Sequence, residues 1–364
     1  MAVVFGGRSS EHGVSCLTAA DVLRALDPER YEVVPVGISR EGRWVLESAD
    51  PQRFAISSGR LPEVDDSGAA VALRPPDEGG LVVTEPGAVP RALGEVDVVL
   101  PLLHGPWGED GTLQGLLEVA GVRYVGAGVL ASAVGMDKEF MKLAFAARGL
   151  AQLPYVVVRA RRWETEPEAV KGEVADLGLP LFVKPARAGS SFGITRVDRL
   201  DAVSAAIEAA RAHDPKVLVE AAAVGAREVE CGVLGGLAGA RPEASVVGEI
   251  QIDPSSGHAF YDFEAKYVDG SASLQIPADI STDSADRVRR WAVEAFEAVD
   301  GEGLARVDFF LLADGSVLVN ELNTMPGFTP TSMFPQLWQA SGLSYAALVD
   351  RLLQLALDRP VGLR

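Results

Sequence analysis

Short apolar runs alternate with amphipathic helical patterns over the first third of the chain. Residues 32–37 and 96–103 have the length and apolar character of strands, and residues 17–25 and 113–120 repeat apolar positions at helical spacing. This alternation is typical of an α/β fold with a parallel sheet. The stretch 49–90 is rich in proline, glycine, aspartate and serine, which predicts surface loops and short hairpins.

Strand and helix patterns continue in two further units. The predicted strands lie at residues 122–125, 179–184 and 216–220, and the predicted helices at residues 137–148, 200–212, 284–299, 332–340 and 345–357. A boundary is expected near residues 126–133. We therefore predict three domains, at residues 1–130, 131–220 and 221–364.

The segment 306–323, RVDFFLLADGSVLVNELN, is the most informative pattern in the chain. It predicts two strands joined by an Asp-Gly pair, which is a strong hairpin signal. A two-residue turn would place Asp308 opposite Glu321 and Arg306 opposite Asn323. Facing carboxylates repel each other across a sheet, and each is costly to bury without a partner.

A divalent cation held by oxygen ligands would remove both objections. Asn323 adds a third oxygen ligand on the same face as Glu321, two residues further along the strand. We therefore predict a metal site formed by Asp308, Glu321 and Asn323. The alternative is a solvated face on which both acids are ordinary surface residues.

The charge of the chain narrows the choice of partners. Among its 364 residues, 33 lysines and arginines stand against 51 aspartates and glutamates, a formal net charge of −18. Such a surface repels nucleic acid and anionic membranes, so we expect neither as a partner. No apolar run reaches the length of a membrane helix, and the first residues lack a signal-peptide pattern. Cys16 and Cys231 match no disulfide or metal spacing, and we expect buried thiols in the cytoplasm.

A nucleotide would need cations gathered locally on so acidic a chain. The loop KPARAGSSFG begins at Lys184 after an apolar strand, and its glycines with the hydroxyls of Ser190 and Ser191 can form an anion nest. Lys138 opens a predicted helix and can reach the same phosphates. The chain has no P-loop sequence. The alternatives are a flexible surface loop and a solvated lysine.

Two acids near a presumed hinge suit the rest of a nucleotide. Glu220 ends the strand 216–220, and Glu228 follows in the sequence AREVE. Carboxylates at these places suit the adenine amino group and the ribose hydroxyls, respectively, although either one alone could be an ordinary acid. The GAG sequence at residues 126–128 is a poor dinucleotide fingerprint, because the acid expected about 20 residues later is missing.

Two glycine loops follow strands of the first unit, at the strand ends where open α/β sheets bind ligands. The loop GGRSSEH carries Glu11, which suits a substrate ammonium group. The loop LHGPWGEDG carries His104, which suits a carboxylate. Glu109 and Asp110 in the second loop are expected to cap the helix that follows.

Two later segments complete the set of candidates. The loop FYDFEAKY, with Lys266 and Tyr267, predicts either a lid that excludes water or ordinary packing of a loop. The segment NTMPGFTPTS leads from the metal strand into a helix. Gly327 permits close approach of the backbone there, and Ser332 at the helix start offers donors to a carboxylate.

Together these motifs resemble the D-alanine–D-alanine ligases of the ATP-grasp superfamily. The sequences GGRSSEHGVS, LHGPWGEDGTLQG, MDKEFMK, KPARAGSSFGI, FYDFEAKY, RVDFF and NELNTMPGFTPTSM occur in the family's order over essentially the whole chain. The resemblance implies a three-domain ATP-grasp fold, α/β in class and α+β in its ATP-binding part, with a parallel sheet in its N-terminal domain. It also implies ATP, two Mg²⁺ ions (or Mn²⁺) and two D-alanines as ligands, and a homodimer.

The resemblance further implies a two-step reaction that supplies peptidoglycan precursors. The carboxylate of the first D-alanine attacks the γ-phosphate of ATP, which gives an acyl phosphate and ADP, and the amine of the second D-alanine then displaces phosphate. The implied roles are phosphate binding by Lys138, Lys184 and Ser191, adenine and ribose contacts by Glu220 and Glu228, metal ligation by Asp308, Glu321 and Asn323, oxyanion donation by Arg306 and the Gly327 N–H, ammonium binding by Glu11 with Ser190 and Tyr267, and further substrate or phosphate contacts by His104, Lys266 and Ser332.

The alternative within the superfamily is a D-alanine–D-lactate ligase or another carboxylate–amine ligase. In the family, a tyrosine at the position of Tyr267 accompanies dipeptide synthesis, so we expect D-alanine as the second substrate. The chain departs from the family after Glu220, where residues 221–223 are all alanine and lack the lysine that often follows the acid. A two-lobed binding protein without catalysis is the alternative from another class, and it would need no metal site.

Overall fold

The computed structural model of the chain describes residues 1–56, 59–74, 80–85, 89–189, 192–252 and 272–360. In these ranges the strands form three sheets, of seven, four and five strands. Among the helices of the same ranges, none combines the length and apolar character that crossing a membrane requires.

The first sheet contains the predicted parallel strands. Its members are β1 (Ala2–Gly6), β2 (Val34–Ile38), β3 (Trp44–Leu46), β4 (Ala70–Leu73), β5 (Leu81–Thr84), β6 (Arg91–Gly94) and β7 (Val99–Pro101). Their order is β6-β5-β4-β3-β2-β1-β7, and β1 runs parallel to both β2 and β7. The remaining pairs are antiparallel and extend the sheet on one side. The predicted strand at residues 122–125 is wrong, because Tyr124 makes an isolated bridge to Val99 instead.

Helices follow the two strands that carry the glycine loops. They are α1 (His12–Ala25), which comes after β1, and α2 (Thr112–Val119), which comes after β7. Two more helices, α3 (Val129–Met136) and α4 (Lys138–Ala147), connect the first sheet to the second. The loops after β1 and β7 therefore lie side by side at the carboxyl ends of adjacent parallel strands.

The second sheet is antiparallel and presents Lys184 and Glu220 on neighbouring strands. Its strands are β8 (Tyr155–Arg159), β9 (Leu181–Pro185), β10 (Thr195–Val197) and β11 (Lys216–Ala221), in the order β10-β9-β11-β8. Three helices belong to this unit, α5 (Ala160–Thr165), α6 (Pro167–Asp176) and α7 (Val203–Arg211). Apolar residues of α6, α7 and the strands, such as Val170, Ile207 and Val183, are fully buried and form its core.

The third sheet contains the predicted hairpin. Its strands are β12 (Arg227–Leu234), β13 (Glu243–Ile252), β14 (Ala272–Gln275), β15 (Leu304–Leu311) and β16 (Val317–Asn323), in the order β14-β13-β12-β15-β16. All neighbouring pairs are antiparallel. Helix α8 (Thr282–Ala298) buries Val288, Ala292 and Phe296 in the core of this sheet. Helices α9 (Met333–Ala340) and α10 (Tyr345–Asp358) complete the described chain.

The hairpin has the predicted pairs but not the predicted turn. Leu312 and Ser316 close a three-residue turn, in which Gly315 has a φ of 81°. The extra residue shifts the register by one, so that Phe309 pairs with Val319. A bulge at Asn320 then restores the expected register. Asp308 accordingly lies opposite Glu321 and Arg306 opposite Asn323, as predicted, although the two-residue turn is wrong.

The first and third units share a hydrophobic core. Phe5 of β1 belongs to the same buried cluster as Leu304 of β15, Phe328 and Leu352 of α10. This packing brings the loop after β7 against the segment after β16, where His104 Nδ1 lies 3.1 Å from the carbonyl oxygen of Met325. The two glycine loops and the predicted metal strand therefore face one another.

Candidate active site

All of the predicted site residues that the structure describes line one of two cavities. The first cavity, of about 320 Å³, is bordered by Lys138, Lys184, Glu220, Glu228, Asp308 and Glu321. The second, of about 140 Å³, is bordered by Glu11, His104, Arg306, Glu321, Asn323, Gly327 and Ser332. Because Glu321 borders both, the two cavities meet at the hairpin. The predictions for Ser190, Ser191, Lys266 and Tyr267 lie outside the described residues.

Lys138 is held at the first cavity by the start of helix α4. The carboxylate of Asp137 caps this helix by accepting hydrogen bonds from the Glu139 and Phe140 N–H groups, at 3.1 and 3.4 Å. The Lys138 N–H donates to the carbonyl of Ala186, 3.0 Å away in the loop after Lys184. Its Nζ lies 3.0 Å from Glu321. The helix start thus fixes this lysine beside the metal strand.

A buried carboxylate lies between two lysines at the same cavity. Glu220 is 1% exposed, and its two oxygens lie 2.7 Å from Lys184 Nζ and 2.5 Å from Lys142 Nζ. Burial alone would raise the pKa of Glu220, but the two lysines hold that pKa below its ordinary value. Burial lowers the pKa of Lys142. Two lysines thus share one carboxylate, and one of them, Lys184, borders the cavity, where an anionic ligand could contact it.

Three acids lie side by side on adjacent strands of the third sheet. Glu230 of β12 pairs with Asp308 of β15, and Asp308 pairs with Glu321 of β16. Directly paired residues point to the same face of a sheet. Arg306 reduces the repulsion, since its Nε and Nη2 donate to the two oxygens of Asp308 at 2.7 Å each. Its Nε also lies 2.8 Å from Glu230.

The side chains predicted to bind metal fit a magnesium site that is shared with phosphate oxygens. Asp308 and Glu321 present hard carboxylate oxygens across the ladder, and the Asn323 amide lies 3.2 Å from Asp308. Mg²⁺ is usually held by one or two carboxylates together with substrate phosphates and water. Within the ranges listed above, no cluster of three or more His, Cys, Asp or Glu side chains is arranged to hold a metal ion on its own.

Glu11 is buried at the second cavity, where its carboxylate lies against two glycines. The side chain is 8% exposed, at the N-terminus of helix α1. A Cβ atom on Gly105 would lie 3.0 Å from Glu11 Oε2, and one on Gly189 would lie 3.5 Å from it. Gly105 has a φ of 74°, which a residue with a side chain rarely adopts. The loop after β7 and the loop after β9 therefore meet at this carboxylate.

Glu109 does not cap helix α2, contrary to the prediction. Asp110 bonds the start of that helix by accepting from the Thr112 N–H at 3.0 Å. Glu109 turns into the junction instead, where it accepts hydrogen bonds from the N–H groups of Gly105 and Met325. Burial, followed by the charge of Glu11, raises the pKa of Glu109 to about 8. Glu109 is therefore a mostly protonated acid at neutral pH, and it lies between the first and third units.

We predict that Glu109 makes the protein less stable as pH rises from about 4.5 to about 8. In this window the folded chain keeps a proton that the unfolded chain releases, and stability falls by up to about 1.4 kcal/mol per pH unit for one such group. Urea denaturation at pH 6 and pH 8 measures the decline. Glu109→Gln, which cannot ionise, should reduce it, and an equal decline in this variant would contradict the assignment.

His104 presents one ring nitrogen to the second cavity. Its Nδ1 donates to the Met325 carbonyl, because a carbonyl oxygen can only accept. Its Nε2 is buried and has no hydrogen-bond partner among the residues that the structure describes. A neutral ring therefore offers an acceptor, which suits an ammonium or amine, while the predicted carboxylate contact requires a protonated ring.

Ser332 and Gly327 also border the second cavity. Ser332 is the N-cap residue of helix α9, but its hydroxyl makes no capping bond and lies 2.7 Å from the hydroxyl of Thr329. The hydroxyl and the first N–H groups of the helix can therefore donate to an anion.

Two family models together match most of the chain. The model described as D-ala D-ala ligase N-terminus matches residues 1–127, and the one described as D-ala D-ala ligase C-terminus matches residues 144–354. The chain belongs to the D-alanine–D-alanine ligase family. Curated ligases of this name from Paenarthrobacter aurescens and Streptomyces coelicolor are each 57% identical over 100% of this chain, which covers 96% and 94% of their lengths.

Solved structures of this ligase family share the fold. The D-Ala:D-Ser ligase VanG from Enterococcus faecalis has a TM-score of 0.83 at 35% identity, with 98% of each chain covered. The D-alanine–D-alanine ligase from Coxiella burnetii has a TM-score of 0.80 at 33% identity, with 98% of this chain and 95% of that chain covered. The predicted α/β ATP-grasp fold is thereby confirmed.

Sequence reasoning missed three residues around the two cavities, of which Lys142 and Glu230 are buried. Lys142 lies four residues after Lys138 and so on the same face of helix α4, a spacing that signals a second lysine on the side of the helix that meets Glu220. Glu230 follows Glu228 at strand spacing, which places both acids on one face. Glu109 was assigned to helix capping, and nothing in its own sequence context indicates its contact with Met325.

Proposed function

We propose that this chain ligates two D-alanines to D-alanyl-D-alanine with ATP, for peptidoglycan precursor synthesis. The observation that carries the proposal is the meeting of two unlike cavities at Glu321. One contains the lysines that suit phosphates, and the other contains the acids that suit ammonium groups. Phosphoryl transfer to an amino acid carboxylate requires both kinds of ligand in contact.

The balance of charge in the first cavity supports a role for divalent cations. Its bordering acids are Glu220, Glu228, Glu230, Asp308 and Glu321, and its bordering cations are Lys138, Lys184 and Arg196. ATP and an attacking carboxylate bring about five further negative charges together, so catalysis depends on positioning and electrostatic stabilisation. We propose that Asp308, Glu321 and Asn323 hold two Mg²⁺ ions, which would neutralise the phosphates.

The side chains of the first cavity contact different parts of ATP in this proposal. Lys138 and Lys184 bind the phosphates, with Ser191 in the adjoining loop, while Glu228 binds the ribose. Glu220 contacts adenine, and Lys142 pairs with the Glu220 carboxylate. Bound Mg²⁺ would supply charge neutralisation between the phosphates and the carboxylate nucleophile.

The second cavity provides the contacts for the amino acids. We propose that Glu11 binds the ammonium group of the first D-alanine, supported by Ser190 and Tyr267. Arg306 and the Gly327 N–H donate to the tetrahedral oxyanion, and Ser332 binds the carboxylate of the second D-alanine. His104 borders this cavity and lies beside the first D-alanine in this proposal.

Phosphate release with ATP, Mg²⁺ and D-alanine tests the proposed function, with the dipeptide identified by mass. Turnover with D-alanine, its absence with L-alanine and its loss on chelation of Mg²⁺ are the expected results. A D-serine reaction run alongside tests the activity named for VanG. Phosphate release without dipeptide, or no turnover with any D-amino acid, would overturn the proposal.

D-Alanine is expected to be preferred over D-lactate as the second substrate at neutral pH. The expectation follows from Tyr267, which lies outside the described residues. A competition between the two acceptors, with dipeptide and depsipeptide separated by chromatography, measures the preference. Comparable amounts of the ester at pH 7 would favour the alternative, a D-alanine–D-lactate ligase.

The organisation of the molecule completes the proposal. We propose domain limits at residues 1–130, 131–220 and 221–364, and the three sheets follow these ranges except that β11 of the second sheet extends one residue further, to Ala221. We also propose a cytoplasmic homodimer that binds neither nucleic acid nor membranes, in keeping with the net charge of −18.

A further inference from the structure

Glu230 is a buried acid for which the proposed reaction has no direct use. It is 3% exposed on β12, and it borders both cavities. Its cross-strand partner is Asp308, a proposed metal ligand, and the side chain between the two acids is Arg306. A buried acid in this position is costly unless its charge serves a neighbour.

Arg306 divides its contacts unequally between the two acids. Its Nε and Nη2 donate hydrogen bonds to Asp308 at 2.7 Å each, so both oxygens of that carboxylate are engaged. The contact with Glu230, at 2.8 Å from Nε, is an ion pair without a hydrogen bond from Arg306. The guanidinium is therefore aligned on Asp308, with a second anion in contact beside it.

A divalent cation and Arg306 would compete for Asp308. A metal ion binds the same carboxylate oxygens that the guanidinium now occupies, and a charged bidentate pair is among the stronger contacts in proteins. When Asp308 turns to a metal ion, Arg306 loses that partner and must keep another to remain in the cavity. Glu230 is placed to be that partner without any movement of the strands.

We propose that Glu230 is a positioning residue that retains Arg306 at the substrate cavity and lowers its competition with Mg²⁺ for Asp308. The proposal rests on the assignment of Asp308 to the metal under the proposed function. In this proposal Glu230 has two effects. It keeps the Nη donors of Arg306 at the substrate cavity, and it leaves the Asp308 carboxylate available to the cation.

Glu230→Gln tests the proposal through metal-dependent nucleotide binding rather than turnover. Calorimetric titration of the full chain with ADP at increasing Mg²⁺ should show half-maximal enhancement of binding at about tenfold higher Mg²⁺, the scale of effect when a group that supports a metal ligand is lost. Glu249→Gln is the matched control. Glu249 is also buried on this sheet and is paired with Arg227 at 2.6 Å, but it borders neither cavity.

An Arg306→Met background separates positioning from general damage to the sheet. With no guanidinium to compete, Glu230→Gln should leave the Mg²⁺ dependence of ADP binding unchanged there. An unaltered Mg²⁺ dependence in the single variant, or an equal shift in both backgrounds, overturns the proposal. If Glu230→Gln does not fold, Glu230→Asp is used instead. A shift in the Mg²⁺ dependence of ADP binding supports the proposal, and an unchanged dependence overturns it. Wild-type ADP binding that ignores Mg²⁺ would instead reject the proposed function.

Discussion

Replacement of Arg306 by alanine is expected to lower kcat by about a hundredfold or more, because removal of one oxyanion donor typically has this effect. Arg306 borders the second cavity, and its guanidinium pairs with two of the three acids, Glu230 and Asp308. The pKa of Arg306 stays well above its ordinary value, since Asp308 and Glu230 outweigh the effect of burial. The guanidinium is therefore charged at every pH at which the enzyme is active.

The measurement is a coupled assay of ADP release, with the dipeptide quantified separately. Arg306→Lys keeps the charge but cannot reproduce a two-armed contact, so it should also lose most of the activity while retaining the fold. Arg227→Ala is the control, because Arg227 makes an equally close pair with Glu249 on the same sheet away from both cavities. Activity near wild type in Arg306→Ala, or an equal loss in Arg227→Ala, would reject the role of oxyanion donor.

The hairpin illustrates how far the sequence could predict this site. The Asp-Gly pair between the apolar runs of residues 306–323 predicted the correct partners for Asp308 and Arg306. The turn itself was predicted one residue too short, and the correct pairing survived because a bulge at Asn320 compensates. Burial of one face strongly constrains register. The sequence near the turn signals neither the three-residue turn nor the bulge at Asn320. The two shifts in register cancel, and for this reason the predicted pairs are correct.

Residues that act through distant partners were beyond sequence reasoning. Motif spacing located the predicted residues that line the cavities, and several of them, such as Lys138, Glu220 and Asn323, lie near helix starts or strand ends. Glu109 depends on Met325, which is more than two hundred residues away and reaches it only through the core shared by the first and third units. The pairing of Lys142 in α4 with Glu220 in β11 likewise joins residues that are far apart in the sequence. Such contacts require the assembled fold.

Glu220→Gln is expected to lower the free energy of unfolding by about 3–5 kcal/mol, the usual cost of removing one partner from a buried ion pair. The variant leaves Lys142 and Lys184 close together without the carboxylate that separates their charges. Burial already lowers the pKa of Lys142, so this lysine should lose its proton more readily in the variant. Urea denaturation at pH 7 measures the loss, and Glu173→Gln, at an exposed pair with Arg162, should leave the free energy of unfolding nearly unchanged.

The order of effects in related variants identifies the cluster as a unit. Lys142→Met should cost less than Glu220→Gln, because Glu220 keeps its 2.7 Å pair with Lys184. The double variant should be less destabilised than the sum of the two single variants, since removal of one lysine relieves the repulsion that loss of the carboxylate exposes. Strict additivity would show that the three charges act independently. ATP with Mg²⁺ should restore part of the stability of Glu220→Gln, because its phosphates supply the negative charge that Lys184 then lacks.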